Sequence, residues 1–402
     1  MKRRKFLINA GKTLLALANP ALAVNQVSND PPSDSNLVTV FMCGDVMTGR
    51  GIDQVLPHPS DPRIYEPYMR SARGYVELAE RANGPIPSPV GFSYVWGDAL
   101  EELQRVVPDV RVVNLETSVT KSNDWAAKGI NYRMHPENVP CITAAKIDCC
   151  VLANNHILDW GYAGLAETLN TLRNADVETA GAGRNTEEAE APAIMEIAGG
   201  RRVIVFAFGS TTSGIPRAWA AAHDKPGVIL LGSLSDKTVR RVASKVQAVK
   251  QPGDIVLVSI HWGENWGYSI PREQRAFAHK LLDEAGVDAV HGHSSHHAKG
   301  IEVYKDKPIL FGCGDFLTDY EGIKGYEGFR GDLVLMYFVT MDPSIGKLDR
   351  FEMTPLQIKR FRLNHVSRKD AQWLRDTLSR EGEKLGTRVE MTADNSLILR
   401  WE

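Results

Sequence analysis

Residues 287–297 read Val-Asp-Ala-Val-His-Gly-His-Ser-Ser-His-His, so a short apolar run leads directly into four histidines. The run has the length and composition of a buried strand. Imidazole is the commonest metal ligand in proteins and the side chain whose charge changes near neutral pH. The segment therefore predicts a metal site, a lone general base or a plain polar loop, and the choice depends on what the other strands carry.

Apolar runs of the same kind occur along the whole chain and are separated by helix-like stretches. The other strand-like runs are Val38–Cys43, Val110–Val113, Ile147–Ala153, Val203–Phe208, Ile255–Ile260, Ile309–Gly312 and Leu333–Val339. The clearest helix-like stretches are Gly164–Asn174, Ser235–Lys250 and Arg272–Ala285. Several runs are almost continuously apolar, as strands buried on both faces are. The alternation predicts an α/β fold of layered helices and sheet.

Polar side chains follow five of these runs directly. In chain order they are Asp45, then Asn114 and Glu116, then Asn155 and His156, then His261 and Glu264, and finally the histidine segment 291–297. Ligands of α/β sheets bind at the carboxyl ends of the strands. Each residue alone has a plain reading, such as a turn cap or a core histidine, but together they predict a metal site. The mixture of imidazole, carboxylate and amide suits Mn, Zn or Fe. Because the ligands outnumber the needs of one tetrahedral ion, we expect two divalent metals about 3.5–4 Å apart.

Short segments around these positions resemble the CapA family of poly-γ-glutamate capsule biosynthesis proteins, a branch of the calcineurin-like metallophosphoesterase superfamily. The segments are Gly44–Met47 with Gly49 and Arg50, Asn114–Thr117, Ala153–Gly161, Ala180–Asn185, His261–Glu264 and Gly300–Tyr304. They keep the family's order from about residue 38 to 316. The resemblance implies an α/β/β/α metallophosphoesterase-like sandwich with its ligands at the C-terminal ends of the strands.

The resemblance also implies a ligand set for the two metals. Its members are Asp45, Glu116 as the bridging carboxylate, Asn155, His261, His293 and His296. The family commonly has Gly-His-His-Pro-His where this chain has Gly-His-Ser-Ser-His, and counting back from Gly300 keeps His293 and His296 in register. His291 and His297 are then additional histidines that support the ligands. Asp315 stands where the family has asparagine and adds a carboxylate near the site.

Four further residues are predicted to take part in catalysis. The resemblance implies that His156 is the imidazole beside the metal-bound phosphate, where it would act as a general acid or charge stabiliser. Asp159 follows it by three residues and can hold the second ring N–H. Arg50 is placed to clamp an anionic oxygen, or else forms a surface salt bridge. Glu264 is a ligand or a base, and spacing does not decide between the two roles.

The N-terminus has the pattern of an export signal. Residues 1–23 contain five basic residues and no acidic one, followed by an apolar stretch and a small-x-small site at Ala21–Ala23. Arg3-Arg4 suggests the twin-arginine route, with an ordinary secretory signal as the alternative. Its removal changes the formal charge from -2 to -7, which argues against a nucleic-acid-binding surface. We therefore expect a periplasmic or secreted protein without a later transmembrane segment.

The expected organisation is a signal at 1–23, a disordered linker at 24–37, the metallophosphoesterase-like domain at 38–350 and an extension at 351–402 that packs on it. The five cysteines have no framework spacing, so neither a disulfide framework nor a zinc ribbon is expected. Four of them lie in or beside apolar strand-like runs, where a free cysteine behaves as a small buried hydrophobe. Three functions stay open. They are a poly-γ-glutamate capsule factor that works with the polymer-synthesis machinery, an exported phosphoesterase acting on nucleotide, lipid or cell-wall phosphates, and a binding module with a structural metal.

Overall fold

A computed structural model of the protein describes residues 37–402. Within this range the chain forms twenty strands. They are β1 (Val38–Val46), β2 (Val110–Leu115), β3 (Ser118–Val119), β4 (Arg133–Met134), β5 (Cys149–Val151), β6 (Glu178–Ala180), β7 (Ala182–Gly183), β8 (Ala193–Ile197), β9 (Arg201–Gly209), β10 (Gly227–Val228), β11 (Ile255–His261), β12 (Ala289–His293), β13 (Ile301–Tyr304), β14 (Lys307–Leu310), β15 (Asp315–Leu317), β16 (Leu333–Asp342), β17 (Lys347–Ile358), β18 (Leu363–His365), β19 (Thr387–Met391) and β20 (Leu397–Trp401).

The same described range contains nine α-helices. They are α1 (Arg50–Val55), α2 (Arg73–Asn83), α3 (Ala99–Val106), α4 (Pro140–Thr143), α5 (Gly161–Asn174), α6 (Thr186–Glu190), α7 (Asp236–Val249), α8 (Arg272–Glu284) and α9 (Arg368–Gly382). Each apolar run singled out in the sequence contributes a strand, and the three helix-like stretches correspond to α5, α7 and α8. None of the described helices is both long and apolar enough to cross a membrane.

Two sheets dominate the described part of the chain. The large sheet has the order β19-β20-β17-β16-β1-β2-β5-β6, with β15 added beside β1 and β18 beside β17. The small sheet has the order β13-β14-β12-β11-β9-β8. Strands β1, β2, β5 and β6 are parallel to one another, as are β9, β11, β12 and β14. The parallel strands in each sheet therefore end at a common edge.

Alternate residues of one strand show how the layers pack. In β9, Val203 and Val205 join a core shared with the large sheet, whereas Ile204 and Phe206 join a second core beneath α7 and α8. Helices α3 and α5 pack against the large sheet, and their buried side chains belong to the same continuous hydrophobic cluster. Because both faces of the central strands are covered, their sequences are continuously apolar. The predicted α/β/β/α layering is thus confirmed.

A close backbone approach brings β15 next to the end of β1. A Cβ on Gly44 would lie 1.7 Å from the carbonyl oxygen of Gly314, so glycine is required there. The amide of Asp45 donates to that same carbonyl at 2.9 Å. Consequently Asp45 and Asp315 stand side by side in the parallel β1–β15 pair.

The structure bears on the expected segment boundaries in two places. The boundary at residue 350 falls inside β17, and the segment beyond it supplies α9 and strands β18 to β20 to the same compact unit. The predicted signal at 1–23 and all of the predicted linker except Leu37 lie outside the described residues. The five cysteines are free and buried.

Candidate metal centre

The predicted ligands converge where the parallel strands of the two sheets end. Asp45, His261 and His293 place one potential ligand atom each within 4.8 Å of one another, and Asp45, His296 and Asp315 do the same. Four of these five side chains are buried and His296 is 12% exposed. Asp45 belongs to both groups. The structure therefore contains a buried Asp/His cluster that could hold metal.

Glu116 and Asn155 adjoin the first of these groups. The Nε2 atom of His261 lies 2.9 Å from Oδ1 of Asn155 and 3.8 Å from Oε1 of Glu116. That same Glu116 oxygen lies 3.8 Å from Nε2 of His156. The carboxylate that the resemblance assigned as a bridge is thus placed beside both a predicted ligand and a predicted catalytic histidine.

Two asparagines hold the strand ends together. Asn114 donates from Nδ2 to Oδ1 of Asp45 at 2.8 Å, and Asn154 donates to Oδ1 of Asn114 at 3.0 Å. Asn154 also accepts from the backbone N–H of His156 at 3.1 Å. The strand-end motifs contain both asparagines, but sequence reasoning gave them no such role.

Burial and mutual repulsion disfavour negative charge on the acidic members of the centre. Burial and then the neighbouring Asp315 raise the pKa of Asp45 to about 7. Burial, Asp45 and Asp315 likewise raise the pKa of Glu116 well above its ordinary value. The Oδ2 atom of Asp45 is buried and makes no hydrogen bond within the described residues.

The histidines of the centre divide into two kinds. Burial lowers the pKa of His261 and of His293 well below the ordinary value, so both rings are neutral at pH 7. Burial also acts on His296, but the carboxylates of Asp315 and Asp45 outweigh it and raise the pKa. Its Nδ1 lies 2.9 Å from Oδ1 of Asp315.

These properties fit a divalent cation. The centre combines carboxylate oxygens that repel one another, neutral imidazoles with a free lone pair and a buried oxygen without a hydrogen-bond donor. A cation among them would favour ionised carboxylates and accept the imidazole lone pairs. The mixed oxygen and nitrogen set suits Mn, Zn or Fe rather than a soft thiolate-binding ion.

His156 is held beside this centre by three neighbours. Its Nδ1 lies 2.6 Å from Oδ2 of Asp159, as the spacing predicted, and its ring stacks on Tyr132 with centroids 3.7 Å apart. Lys128 lies with Nζ 2.7 Å from Oδ1 of Asp159 and 3.3 Å from the His156 Nδ1. Burial, followed by the charge of Lys128, lowers the pKa of His156 to about 4. No sequence signal singled out Lys128, which lies in an irregular loop.

Arg50 forms a salt bridge, and the bridge is buried rather than at the surface. Its guanidinium lies 2.8 Å from Glu66 and 2.5 Å from Asp319, and it stacks over the ring of Tyr75. The side chain is only 2% exposed. The guanidinium donates to two buried carboxylates, which supports a structural role, and the anion clamp expected from the sequence stays a prediction.

The remaining predicted residues lie around the centre rather than within either group of potential ligands. Glu264 is exposed to solvent and is not part of the buried cluster. His297 accepts from the N–H of Gly267 at 3.1 Å and stacks on Phe329. His291 is fully buried, with Nε2 2.8 Å from the carbonyl oxygen of Cys43.

The layered fold and the buried Asp/His cluster at its strand ends define an α/β protein with a candidate metal centre. The model of the bacterial capsule synthesis protein family, PGA_cap, matches residues 39–320. The chain belongs to that family. The family resemblance seen in the sequence is therefore confirmed.

Curated relatives agree with this assignment. The chain is 49% identical over 364 residues to a protein of Mycobacterium tuberculosis named "Probable polyglutamine synthesis accessory protein", covering 90% of this chain and 96% of the relative. It is 26% identical to the PGA biosynthesis protein CapA of Bacillus subtilis, covering 81% of this chain and 73% of that one. It is 25% identical to the capsule biosynthesis protein CapA of Bacillus anthracis, covering 71% and 61%.

Among solved structures, a novel phosphatase of Mycoplasma pneumoniae aligns over 80% of this chain and 94% of its own. The sequence identity is 12% and the TM-score is 0.43.

Proposed function

We propose that this chain is a capsule factor of poly-γ-glutamate synthesis that works through a two-metal, phosphoesterase-like centre. The observation that carries the proposal is the convergence of Asp45, Glu116 and the imidazoles of His261 and His293 in one buried cluster at the strand ends. The names of the curated relatives support the link to polyglutamate, since they describe polyglutamine synthesis and capsule biosynthesis.

Two overlapping sets of side chains would hold the cations. Asn155, His261 and His293 form one set, and His296 with Asp315 forms the other. Asp45 belongs to both groups and would be shared. Glu116 adjoins His261 at 3.8 Å and would be the second shared carboxylate. Divalent metals bound there would supply Lewis-acid stabilisation of negative charge on an oxygen of the substrate.

His156 acts in this proposal as a group that takes or delivers a proton. Its Nδ1–H donates to Asp159, which leaves Nε2 directed toward the Glu116 side of the centre. The low pKa keeps the ring neutral at pH 7, so in the free protein Nε2 accepts a proton rather than donating one. A bound phosphate would raise that pKa and favour the imidazolium as a donor to the leaving oxygen.

The proposal is tested by metal analysis and hydrolysis. The purified protein, loaded with Mn or Zn, is expected to bind two equivalents and to hydrolyse p-nitrophenyl phosphate or bis(p-nitrophenyl) phosphate. Asp45→Asn should reduce metal binding and hydrolysis together, whereas Glu264→Gln, at an exposed position just after β11, should change neither. Full metal occupancy with no hydrolysis of either ester would contradict the phosphoesterase-like activity.

A second test concerns the polymer. In a strain that carries this chain and makes polyglutamate, the double variant Asp45→Ala/His293→Ala is expected to reduce polymer production. Unchanged production, with metal lost from the purified variant, would contradict the role in polymer synthesis and leave an exported phosphoesterase as the better assignment.

We also propose that the protein acts outside the cytoplasm after export through the segment at 1–23. Replacing Arg3 and Arg4 by lysine should keep the protein in the cytoplasm if the twin-arginine route is used. Export of that variant at the wild-type level would indicate an ordinary secretory signal instead.

A further inference from the structure

Two neighbouring strands of the small sheet place their polar residues on one face. In the parallel β11–β12 pair, Ser259 lies opposite His291 and His261 lies opposite His293. Since side chains alternate along a strand, the four residues share a face. That face is turned toward the large sheet, because His291 reaches the carbonyl oxygen of Cys43 in β1. All four side chains are buried.

The hydrogen bond to Cys43 determines which ring nitrogen of His291 carries hydrogen. Nε2 of His291 lies 2.8 Å from the Cys43 oxygen, and a carbonyl oxygen can only accept, so Nε2 is the donor. The ring is buried without a carboxylate partner and is therefore neutral, with one hydrogen. Its Nδ1 is consequently an acceptor, and it lies 3.1 Å from Oγ of Ser259.

The hydrogen bonds of the Ser259 hydroxyl determine which ring nitrogen of His293 carries hydrogen. Ser259 has one hydrogen, which it donates to Nδ1 of His291, and its oxygen then has only lone pairs left. Nε2 of His293 lies 2.9 Å from that oxygen and must donate to it. The Nδ1 atom of His293 thus carries the lone pair and lies 3.7 Å from Oδ1 of Asp45. It also lies 2.8 Å from Nδ1 of His261, which carries a lone pair too, because Nε2 of His261 donates to Oδ1 of Asn155, so the two lone pairs face each other.

We propose that Ser259 and His291 are positioning residues that fix His293 in the Nε2–H tautomer and so direct its Nδ1 lone pair at the metal. This inference rests on the proposed function, because it assumes that the group bound at the centre is a divalent cation. Outer partners that orient a metal-bound imidazole in this way raise metal affinity. We call the hydrogen-bonded path from Cys43 through His291 and Ser259 to His293 the relay. It also joins the two sheets.

Metal affinity tests the relay. Ser259→Ala is expected to weaken Mn²⁺ binding about 10- to 100-fold, measured by titration calorimetry on the purified full chain. Ser213→Ala is the matched control: Ser213 is also buried and donates at 3.0 Å to the carbonyl oxygen of His261, but it contacts no imidazole. This control should bind Mn²⁺ within about threefold of wild type, as expected when no partner of an imidazole is removed.

Variants of His291 separate positioning from packing. His291→Phe keeps the ring but removes both hydrogen bonds and should weaken binding like Ser259→Ala. His291→Gln can donate to Cys43 and accept from Ser259, so it should restore most of the affinity. The visible spectrum of bound Co²⁺ should change in the first variant and return in the second. Wild-type affinity and an unchanged spectrum in both Ser259→Ala and His291→Phe would overturn the relay.

A measurement on the unaltered protein decides the question even if a variant fails to fold. In the metal-free wild type, ¹⁵N shifts of selectively labelled histidine should show Nε2 of His293 protonated and Nδ1 unprotonated. An Nδ1–H tautomer would overturn the inference. If the wild type takes up no metal, the proposed function fails, and the tautomer still decides the relay.

Discussion

Two buried clusters of carboxylates in this protein differ in what neutralises them. In the arginine cluster, Glu66 and Asp319 surround the guanidinium of Arg50, and Tyr75 donates its hydroxyl to Glu66. In the metal cluster, Asp45 and Glu116 face other carboxylates and imidazoles, of which His261 and His293 are neutral. Both clusters are almost fully shielded from solvent.

The difference teaches how to distinguish a structural polar cluster from a functional one. A buried carboxylate is tolerated when a cation and hydrogen bonds compensate for lost hydration. The arginine cluster contains its own cation, so it needs nothing from outside. Within the described residues, the metal cluster leaves an oxygen of Asp45 without a hydrogen-bond donor, and its burial and repulsion raise the pKa of Asp45. A bound cation could compensate for both.

The largest expected effect breaks the arginine cluster. Arg50→Met leaves Glu66 and Asp319 buried without their cation, which should lower the free energy of unfolding by about 3–5 kcal/mol. Urea denaturation measures the loss. Arg375, a half-buried residue paired with the exposed Asp376, provides the control, since Arg375→Met should cost less than about 0.5 kcal/mol. An equal loss in the free energy of unfolding in the two variants would mean that the buried salt bridge stabilises the fold no more than the pair of Arg375 and Asp376.

The next effect completes the metal cluster. Saturating Mn²⁺, at about 100 times its dissociation constant, should stabilise the protein by about 2.7 kcal/mol, and a chelator should reverse this. Asp45→Asn should abolish the metal-dependent increment, because it removes a shared carboxylate. Arg50→Met should retain the increment even though its starting stability is lower. A thermal unfolding series with and without metal checks this, and loss of the increment in Arg50→Met would erase the distinction between the clusters.

The smallest effect concerns a paired carboxylate nearer the surface and depends on pH. Burial opposes ionisation of Asp332, but its hydrogen bonds to Arg330 outweigh this and lower its pKa. A depressed folded-state pKa contributes stability above the unfolded value of about 3.9, and that stability is lost as the pH falls through the folded value. The free energy of unfolding should therefore fall less between neutral and strongly acidic pH in Asp332→Asn than in the wild type, by less than about 1 kcal/mol. Denaturant titrations at several pH values test this, and identical pH profiles would count against it.

Much of the fold could be predicted from the sequence because its central strands are covered on both faces. Runs such as Val203–Phe208 and Ile255–Ile260 are continuously apolar for that reason. The polar residues that end the runs mark the site, because parallel strands end at a common edge. Asp45, His261 and His293 are brought together as this argument expects.

The roles of other residues depend on partners that no local pattern reveals. Arg50 was expected to bind an anion because it follows Asp45 closely, yet its carboxylates come from 16 and 269 positions away. Lys128 reaches Asp159 from an irregular loop without periodicity. The boundary at residue 350 was placed within a strand because β17 is partly exposed and polar at its start, where Lys347, Asp349 and Arg350 face solvent.

The sequence separation of the residues at the strand ends also bears on when the centre forms during folding. Contacts within the centre join residues 69, 106 and 248 positions apart, through Asp45 with Asn114, Asn155 with His261, and Cys43 with His291. Pairings this distant in sequence form slowly and late in folding, because each one closes a long loop. A nascent or truncated chain that ends before β12 lacks His293 and His296, and with them part of each group of potential ligands.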